Sequence, residues 1–582
     1  MHRAHRPSDR RWAPALAGLL ALTLLASACG GAKEGEDTSV NKEDAGLNSA
    51  AGESGLADAG EPQRGGTLVY GVEADSSSGY CLPEGQLAIS GMLVVRAIYD
   101  TLTVPNSEGD YVPYLAKSVE PNDDYTEWTI EVRDGIKFHD GTDLTGEVVK
   151  NNLDAYRGQY PTRKPLLFLF VFDNIDTVSA DGQTVTVKTK VPWVSFPAYL
   201  YSSSRLGIMA QSQLDDTESC DRELVGTGPF KFDQWSPNDK LTATRNEDYW
   251  QTAPDGEPYP YADAIEFRVL TDINVRINSL ESSDGANIIH TTSGDEICCK
   301  LKDLRDEGKA NMLVSEDGAE VSFIQLNSTV PPFDDERMRK ALALGGDRAD
   351  INEIQNAGLP TVASGPFAPD SIAYLEDAGF PEYDLEEAKK LVAEYKAEGG
   401  STEFTITHTS DDSTTRLAEL VQQRAEQAGV TINLVKRDQA ALIDDAIGKN
   451  YQAMLFRNYP GGDPDINYVW WYGDGNPVNF GGWDDPELNA LLDEGRSEPD
   501  PDKRQEIYQD VNRIMAEKVY GIWSWYTPWA IVEDANVHNI LGPPLPGEDP
   551  SQPGDATTDD RARQPYTGLA TGHSLLGLWI EG

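Results

Sequence analysis

Residues 456–483 hold the richest concentration of aromatic and ionisable side chains in the chain, FRNYPGGDPDINYVWWYGDGNPVNFGGW. Flat aromatic faces combined with a few fixed polar groups can hold a small molecule without reacting with it. Trp470 and Trp471 are consecutive, so on a β-strand they would point to opposite faces and only one of them would meet a ligand. We therefore predict a binding site that draws on this stretch.

The motifs of common hydrolases are missing from the sequence. It contains no Gly-x-Ser-x-Gly, no His-Glu-x-x-His, no Cys-x-x-Cys and only seven histidines, which disfavours a nucleophile-based or zinc-dependent enzyme. Paired carboxylates are abundant, so composition alone leaves glycosidase chemistry open. Gly226-x-Gly228-Pro229 is shaped like a phosphate loop but lacks a third glycine and a following helix, and it predicts a tight turn before a strand.

The N-terminus has the pattern of an exported protein. Arginines at positions 3, 6, 10 and 11 precede an apolar run from Ala13 to Leu25, which is too short and too alanine-rich for a permanent transmembrane helix. The run ends in LASACG, which resembles a bacterial lipoprotein processing site. We expect residues 1–28 to be a signal peptide and Cys29 to carry the lipid. The alternative is an ordinary signal peptide followed by an incidental cysteine.

The segment after the signal has the composition of a tether. Residues 29–62 contain almost no large apolar side chain, so they cannot bury enough surface to offset their ordering entropy. The 500 or so residues that follow exceed one compact core, which predicts two or more domains. Apart from the signal, no apolar run in the sequence is long enough to cross a bilayer.

Charge and cysteine content restrict the partners and the compartment. With 48 Lys plus Arg against 97 Asp plus Glu, the formal net charge is −49, which repels nucleic acid and anionic lipid headgroups. An even number of body cysteines in an oxidising compartment predicts up to two disulfides. Three pairings are possible, and the sequence does not choose between them. The four cysteines are Cys81, Cys220, Cys298 and Cys299.

Strand-like and helix-like segments alternate along the body, as in an α/β fold. The predicted strands are 66–72, 127–132, 136–138, 184–188 and 430–434. The predicted helices are 335–344, 385–395 and 414–428. Asp334 or Asp335 is expected to begin the first of these helices, and Gly429 to end the third. No internal repeat of 20–50 residues is visible, which argues against a solenoid or propeller.

Several blocks in a fixed order resemble the extracellular solute-binding proteins of family 5, the peptide, nickel and oligosaccharide receptors of ABC importers. The similarity covers about residues 63–545. Its blocks are Pro113–Thr145, Val225–Phe230, Arg245–Trp250, Asn327–Leu342, Tyr383–Ala388, Gly462–Asp465 and Asp484–Leu488. The resemblance implies capture of a solute without turnover and without a cofactor.

The resemblance implies a periplasmic-binding-protein-like type II (cluster C) α/β fold, in which two lobes are joined by a hinge of two extended crossings. Lobe I is expected to hold residues 63–325 and 523–582, with a subdomain inserted at about 100–205. Lobe II is expected to hold residues 326–522. In such proteins the ligand bridges both lobes only when they close, so binding shifts the population toward the closed state.

The resemblance also implies site residues. In peptide-binding relatives an aspartate in the block matching Gly462–Asp465 pairs with the ligand's amino terminus, and Asp463 matches it here. The alternative is a turn or helix-cap carboxylate, which is favoured for Asp465. Arg457 is expected either to meet a ligand carboxylate or to stabilise a neighbouring acid. The other expected contacts, with a core role as the alternative for each tryptophan, are Glu73, Tyr201, Tyr459, Trp471, Trp483, Trp525 and Tyr526.

The expected partners follow from the same resemblance. They are an amphipathic solute such as an oligopeptide, an ABC permease, and the membrane through the lipid anchor, with the body a monomer outside the cell or in the periplasm. Tryptophans suit sugars as well as peptides, so an oligosaccharide is an alternative, while few histidines disfavour nickel chelates. A ligand-sensing receptor remains a further alternative, and a secreted hydrolase is the least favoured interpretation.

Overall fold

The computed structural model describes residues 41–47, 60–76, 78–318, 320–458, 461–547, 563–566, 568–570 and 574–582. The predicted signal peptide and Cys29 lie outside these ranges. Within them, no helix combines the length and the apolar character needed to cross a membrane.

The described chain contains twenty strands and fifteen α-helices. In chain order the strands are β1 (Thr67–Val72), β2 (Thr103–Pro105), β3 (Tyr111–Pro113), β4 (Ala116–Pro121), β5 (Glu127–Val132), β6 (Ile175–Asp181), β7 (Thr184–Thr189), β8 (Phe230–Ser236), β9 (Lys240–Arg245), β10 (Ala264–Val269), β11 (Ile288–Thr291), β12 (Ala310–Ser315), β13 (Val321–Leu326), β14 (Glu403–Thr409), β15 (Thr431–Arg437), β16 (Ala453–Asn458), β17 (Gly521–Tyr526), β18 (Trp529–Asp534), β19 (Val537–His538) and β20 (Trp579–Ile580). The helices are α1 (Ile89–Ile98), α2 (Gly146–Tyr156), α3 (Leu169–Phe172), α4 (Phe196–Tyr199), α5 (Gln211–Asp215), α6 (Ile273–Leu280), α7 (Lys302–Asp306), α8 (Glu336–Gly345), α9 (Arg348–Asn356), α10 (Leu385–Ala397), α11 (Asp412–Glu426), α12 (Gln439–Ile447), α13 (Tyr468–Trp471), α14 (Pro486–Ser497) and α15 (Pro501–Glu517).

The two largest sheets have seven and five strands. Their strand orders are β12-β18-β11-β1-β10-β9-β8 and β15-β14-β16-β13-β17. The chain passes from the first sheet to the second between Ser315 and Val321, and returns between Tyr526 and Trp529. Strands β13 and β17 therefore lie completely in the five-stranded sheet. The expected lobe limits, 325/326 and 522/523, fall inside these two strands, so the chain changes sheet a few residues before the first limit and a few residues after the second.

A four-stranded antiparallel sheet, β4-β5-β7-β6, lies within residues 100–205 together with helix α2. Its strands β5 and β7 alternate between buried and half-exposed residues, which is the period expected of a strand with one face on a core. Trp128, Ile130, Val185 and Val187 supply that core face.

Aspartate caps explain why the predicted helices begin where they do. The carboxylates of Asp335 and Asp384 accept hydrogen bonds from amides in the first turns of α8 and α10. Helix α11 begins two residues before its predicted start because Asp411 accepts from the amide of Thr414. The expected strand at 136–138 is absent: Lys137 makes only an isolated bridge to Asp143, since the two flanking turns leave no room for a ladder.

The loop at Gly226-x-Gly228 is a structural turn, as expected. A Cβ atom on Gly226 would lie 2.0 Å from the carbonyl oxygen of Ile98, and one on Gly228 would lie 2.6 Å from the Ile98 carbonyl carbon. The two glycines therefore let the backbone pass closely over the end of helix α1 before β8 begins.

Residues 41–47, inside the predicted flexible tether, are packed on the body. Ala45 is fully buried in an apolar cluster with residues of α6, α7, β11 and β12. The Lys42 ammonium donates to the Thr361 hydroxyl at 3.1 Å, and Arg305 donates to the Asp44 carbonyl at 2.7 Å. Small and apolar side chains at positions 45 and 47 can enter the core although the surrounding composition is polar, which corrects the description of 29–62 as uniformly flexible.

The structure chooses one of the three disulfide pairings. Cys81 is bonded to Cys220, and Cys298 to its neighbour Cys299. The first bond closes a long loop, with a sequence separation of 139, whereas the second joins adjacent residues. Only the first can reduce the freedom of the unfolded chain substantially.

We predict that replacing Cys81 and Cys220 together by alanine lowers the free energy of unfolding by about 2–5 kcal/mol, because the long loop is released. Urea unfolding followed by tryptophan fluorescence measures this loss. The matched control is the Cys298→Ala, Cys299→Ala pair, for which a much smaller loss is expected. An equal loss in both pairs would contradict the loop-closure argument.

Candidate ligand-binding site

A cavity of about 1480 Å³ is lined by residues from both main sheets. Glu73 follows β1 and Thr291 ends β11 on the seven-stranded side, while Asn458 and Thr409 end β16 and β14 on the other side. The cavity therefore opens at the carboxyl ends of strands, where α/β folds commonly place ligands. Its volume exceeds the usual range for a drug-sized molecule, so it can take an extended solute.

Aromatic rings form much of the apolar wall. Trp470 packs against Phe480 with ring centroids 5.6 Å apart, and both line the cavity. Phe456 and Trp525 line the same side, on strands β16 and β17. Trp235, on β8 of the seven-stranded sheet, also lines the cavity and donates from its indole nitrogen to Asp75 at 3.0 Å. Stacking on a flat or apolar ligand is the interaction these walls offer.

An ion pair joins the two sheets at the cavity. The Arg457 guanidinium, on β16, donates to the Glu73 carboxylate at 2.8 Å and to the Thr292 hydroxyl at 3.1 Å. The Nη1 atom that donates to Thr292 also lies 3.4 Å from the carboxylate of Glu320, which is in the first crossing between the sheets. All four residues line the cavity, so the ion pair is part of the surface that a solute meets.

The family model of bacterial extracellular solute-binding proteins, family 5 Middle, matches residues 110–480. The chain belongs to this family. The protein is a solute-binding protein of the ABC-importer type, and its relatives are named as binding proteins.

One relative found by sequence and one found by structure are named with different solutes. The glutathione-binding protein GsiB of Escherichia coli (strain K12) is 27% identical over 361 residues, covering 61% of this chain and 67% of its own. The binding protein AgaA of A. tumefacien R10, in complex with agropinic acid, shares the fold with a TM-score of 0.74 at 24% identity, covering 89% of this chain and 99% of its own.

A third relative was solved with a peptide. The oligopeptide-binding protein AppA of Bacillus subtilis, in complex with a nonapeptide, has a TM-score of 0.73 at 20% identity. The match covers 90% of this chain and 100% of AppA. The periplasmic-binding-protein fold expected from the sequence is thereby confirmed.

Asp463 is not among the residues that line the cavity. Its carboxylate accepts from the Arg504 guanidinium at 2.6 and 3.0 Å and from the Asp465 amide at 2.8 Å. A carboxylate already paired inside the protein has no need of a ligand ammonium. The geometry therefore fits the cap interpretation for Asp463, because its carboxylate accepts from the Asp465 amide at the start of the short turn that begins at Pro464.

The expected aromatic contacts divide into two groups. Of the predicted residues, Glu73, Arg457 and Trp525 line the cavity, and so does Trp470. The structure places Trp471, Trp483, Tyr526 and Tyr201 outside the lining, each nearly or fully buried. Tyr459 lies outside the described residues. Trp235 was not among the predicted residues, because nothing around a tryptophan near the end of an antiparallel strand marks it as facing a cleft.

Local helix geometry explains which tryptophan of the pair faces the cavity. Residues 468–471 form the short helix α13, so consecutive side chains are separated by about 100° and not by the ~180° of a strand. Trp470 faces the cavity, and Trp471 packs edge-on against Phe367. The Trp483 indole donates to the Trp471 carbonyl at 2.9 Å and stacks on Tyr520, so it supports the wall from behind.

Burial and charge set the protonation of the acids at the cavity. Burial alone would raise the pKa of Glu73, but the charge of Arg457 and its hydrogen bond outweigh it and lower the pKa to about 2. Burial raises the pKa of Glu320 despite the nearby Arg457. His290, on β11, is fully buried, and burial lowers its pKa to about 3, so this imidazole is neutral at pH 7.

Metal binding has little support in the described residues. The group of three potential ligands that they bring together is Cys81, Glu84 and Cys220, and both of its sulfur atoms belong to the disulfide. A disulfide sulfur is not a thiolate ligand.

We predict that Glu73→Gln lowers the free energy of unfolding by about 2 kcal/mol at pH 7. The folded pKa of Glu73 lies below its ordinary value of 4.5. The stabilisation is therefore present above that value and lost as the pH falls towards 2. Urea titrations of the wild type and the variant between pH 7 and pH 2.5 measure the difference.

Glu320→Gln is the matched control for this pH dependence. Because the pKa of Glu320 is raised, we expect this variant to lose much less stability at neutral pH than Glu73→Gln. A Glu73→Gln penalty of the same size at pH 2.5 and pH 7 would contradict the role given to the Arg457 pair.

Proposed function

We propose that this protein captures an oligopeptide or a similar amphipathic solute between two closing lobes and presents it to an ABC permease, while a lipid on Cys29 holds it at the outer face of the cell membrane. The observation that carries the proposal is the large cavity with a lining shared by both sheets. A solute that touches both linings stabilises the closed arrangement and no other, which is the condition for ligand-driven closure.

The two proposed lobes follow the two sheets. The first holds the seven-stranded sheet with the inserted subdomain, and the second holds the five-stranded sheet. The crossings at 316–320 and 527–528 are the proposed hinge. Short extended crossings allow the lobes to rotate with little change in either core.

The chemistry of the cavity supports a peptide-like solute. Aromatic walls at Trp470 and Trp525 suit apolar side chains, and charged groups of both signs at Glu73, Glu320 and Arg457 suit a ligand with both charges. The relatives GsiB and AppA, named for glutathione and oligopeptide binding, are consistent with this class. The same tryptophan faces suit a sugar ring, so an oligosaccharide is the second candidate.

Mass spectrometry of the small molecules released by denaturing the purified protein tests the solute class. We expect a peptide or another amphipathic molecule. With that molecule as titrant, Trp470→Ala is expected to weaken binding at least about tenfold, because a stacking face is lost. Isothermal titration calorimetry measures the change.

Asp463→Asn is the control for this titration. Its carboxylate is paired with Arg504 and lies outside the lining, so the affinity is expected to stay within about twofold of the wild type. Weaker binding in Asp463→Asn with none lost in Trp470→Ala would restore the sequence-based assignment. Chemical breakdown of the titrant by the protein would overturn the binding function itself.

The lipid anchor has a separate test in the cell. We expect the wild-type chain to fractionate with the membrane and Cys29→Ala to appear in the soluble extracellular or periplasmic fraction, because the variant lacks the acylated residue. Immunoblots of the fractions and an intact-mass measurement of the mature protein check this. An unmodified Cys29 in the mature chain would contradict the anchor.

A further inference from the structure

A buried polar cluster joins the inserted subdomain to the proposed second lobe, and its residues lie outside the cavity lining. Its centre is the carboxylate of Asp465, which is fully buried. From the subdomain, the Trp193 indole donates to this carboxylate at 3.2 Å and the Ser195 hydroxyl at 2.5 Å. The Tyr199 hydroxyl donates to the backbone carbonyl of Asp465.

The second lobe supplies its own partners for the same carboxylate. The Arg496 guanidinium, on α14, donates to both oxygens at 3.2 Å, and the Tyr508 hydroxyl, on α15, donates at 3.3 Å. Arg496 lies 3.5 Å from the ring centroid of Tyr468 and 4.8 Å from that of Trp193. The charge pair is therefore covered by rings from both sides of the interface.

The subdomain is bound firmly to the seven-stranded sheet and its neighbouring loops. The buried Asp100 carboxylate accepts from the Trp250 indole and the Thr227 hydroxyl, each at 2.9 Å. The His139 ring contacts the Gly228 carbonyl at 2.9 Å. These contacts, together with the chain connections at 100 and 205, make the subdomain part of the first lobe. The interface around Asp465 then lies between parts that move apart when the cleft opens.

We propose that the contact of Trp193, Ser195 and Tyr199 with Asp465 is a latch that favours the closed state in the absence of ligand. This inference rests on the hinged closure proposed above. On opening, Asp465 and Arg496 stay together because both belong to the second lobe, but they lose the three donors of the subdomain and become hydrated.

The latch has a consequence for affinity. When the binding-competent state is a fraction of the population, the apparent dissociation constant equals the intrinsic one divided by that fraction. Weakening the latch lowers the closed fraction and raises the apparent dissociation constant for every solute by the same factor. The latch thus regulates the strength of binding without touching the ligand or changing which ligand is preferred.

The amide of Val194 reports directly on the latch, because it donates to the Arg496 carbonyl at 3.0 Å across the interface. Hydrogen–deuterium exchange of the full ligand-free protein follows this amide. We expect Ser195→Ala to speed its exchange about tenfold, because one charged hydrogen bond made only in the closed state is lost. Trp193→Phe, which keeps a smaller aromatic ring but removes the donor, is expected to act in the same direction.

Tyr508→Phe is the matched control. It removes a donor from the same carboxylate, but a donor that belongs to the same lobe and is kept on opening, so Val194 exchange should change less than about twofold. Thermal unfolding is measured on all three variants to confirm that each is folded. Small-angle scattering of the ligand-free protein should show a larger radius of gyration for Ser195→Ala than for Tyr508→Phe.

Two results would overturn the latch. One is unchanged Val194 exchange in both subdomain variants, and the other is equal acceleration in Tyr508→Phe, which would show general loosening of the fold. Because these measurements use no ligand, their failure leaves the solute-binding proposal standing. Failure of the proposed function would instead appear as the absence of any solute that contracts the protein.

Discussion

The ion pair between Arg457 and Glu73 is the constraint on which the cleft depends. Both side chains are partly buried, with 30% of Arg457 and 18% of Glu73 exposed, so each is stabilised by a partner of opposite charge. The partners come from different sheets, and their 2.8 Å contact requires the end of β1 to meet the end of β16. That meeting places Glu320, in the first crossing, beside the same guanidinium. The ion pair thus links the ends of the two sheets at the cavity in this arrangement.

Close to this pair along the chain, residues 463–471 include some side chains that pack within the protein and one, Trp470, that lines the cavity. Asp463 and Asp465 hold arginines of α15 and α14 and organise the turn before α13. That turn directs Trp470 to the cavity and Trp471 to the core. The acids of the Gly462–Asp465 block therefore contact arginines of the body, whereas Trp470 of the following helix lines the cavity. Relatives of this fold are named for glutathione binding or were solved with agropinic acid or a nonapeptide, so the fold serves different solutes.

Elements with strong local signals were predictable. Strands β1, β5, β7 and β15 and helices α8, α10 and α11 form where periodicity and aspartate caps place them, with ends shifted by three residues or fewer. Signals that depend on distant partners were not. The packing of residue 45 needs the apolar pocket made by α6, α7, β11 and β12, and no local pattern describes that pocket. The α13 helix forms in a stretch for which the sequence predicted no helix or strand.

The sequence by itself determined the family, the α/β class and a stretch that supplies several aromatic residues of the cavity wall, because ordered motifs and periodicity are properties of neighbouring residues. It also determined that four cysteines could pair, and that Arg457 had an acid or a ligand as its partner. Only the tertiary structure decided the disulfide pairings, the ion pair of Asp463 with Arg504, the choice of Trp470 over Trp471 and the contribution of Trp235. These outcomes depend on contacts between residues tens to hundreds of positions apart, and sequence separation does not indicate which of those residues meet in space.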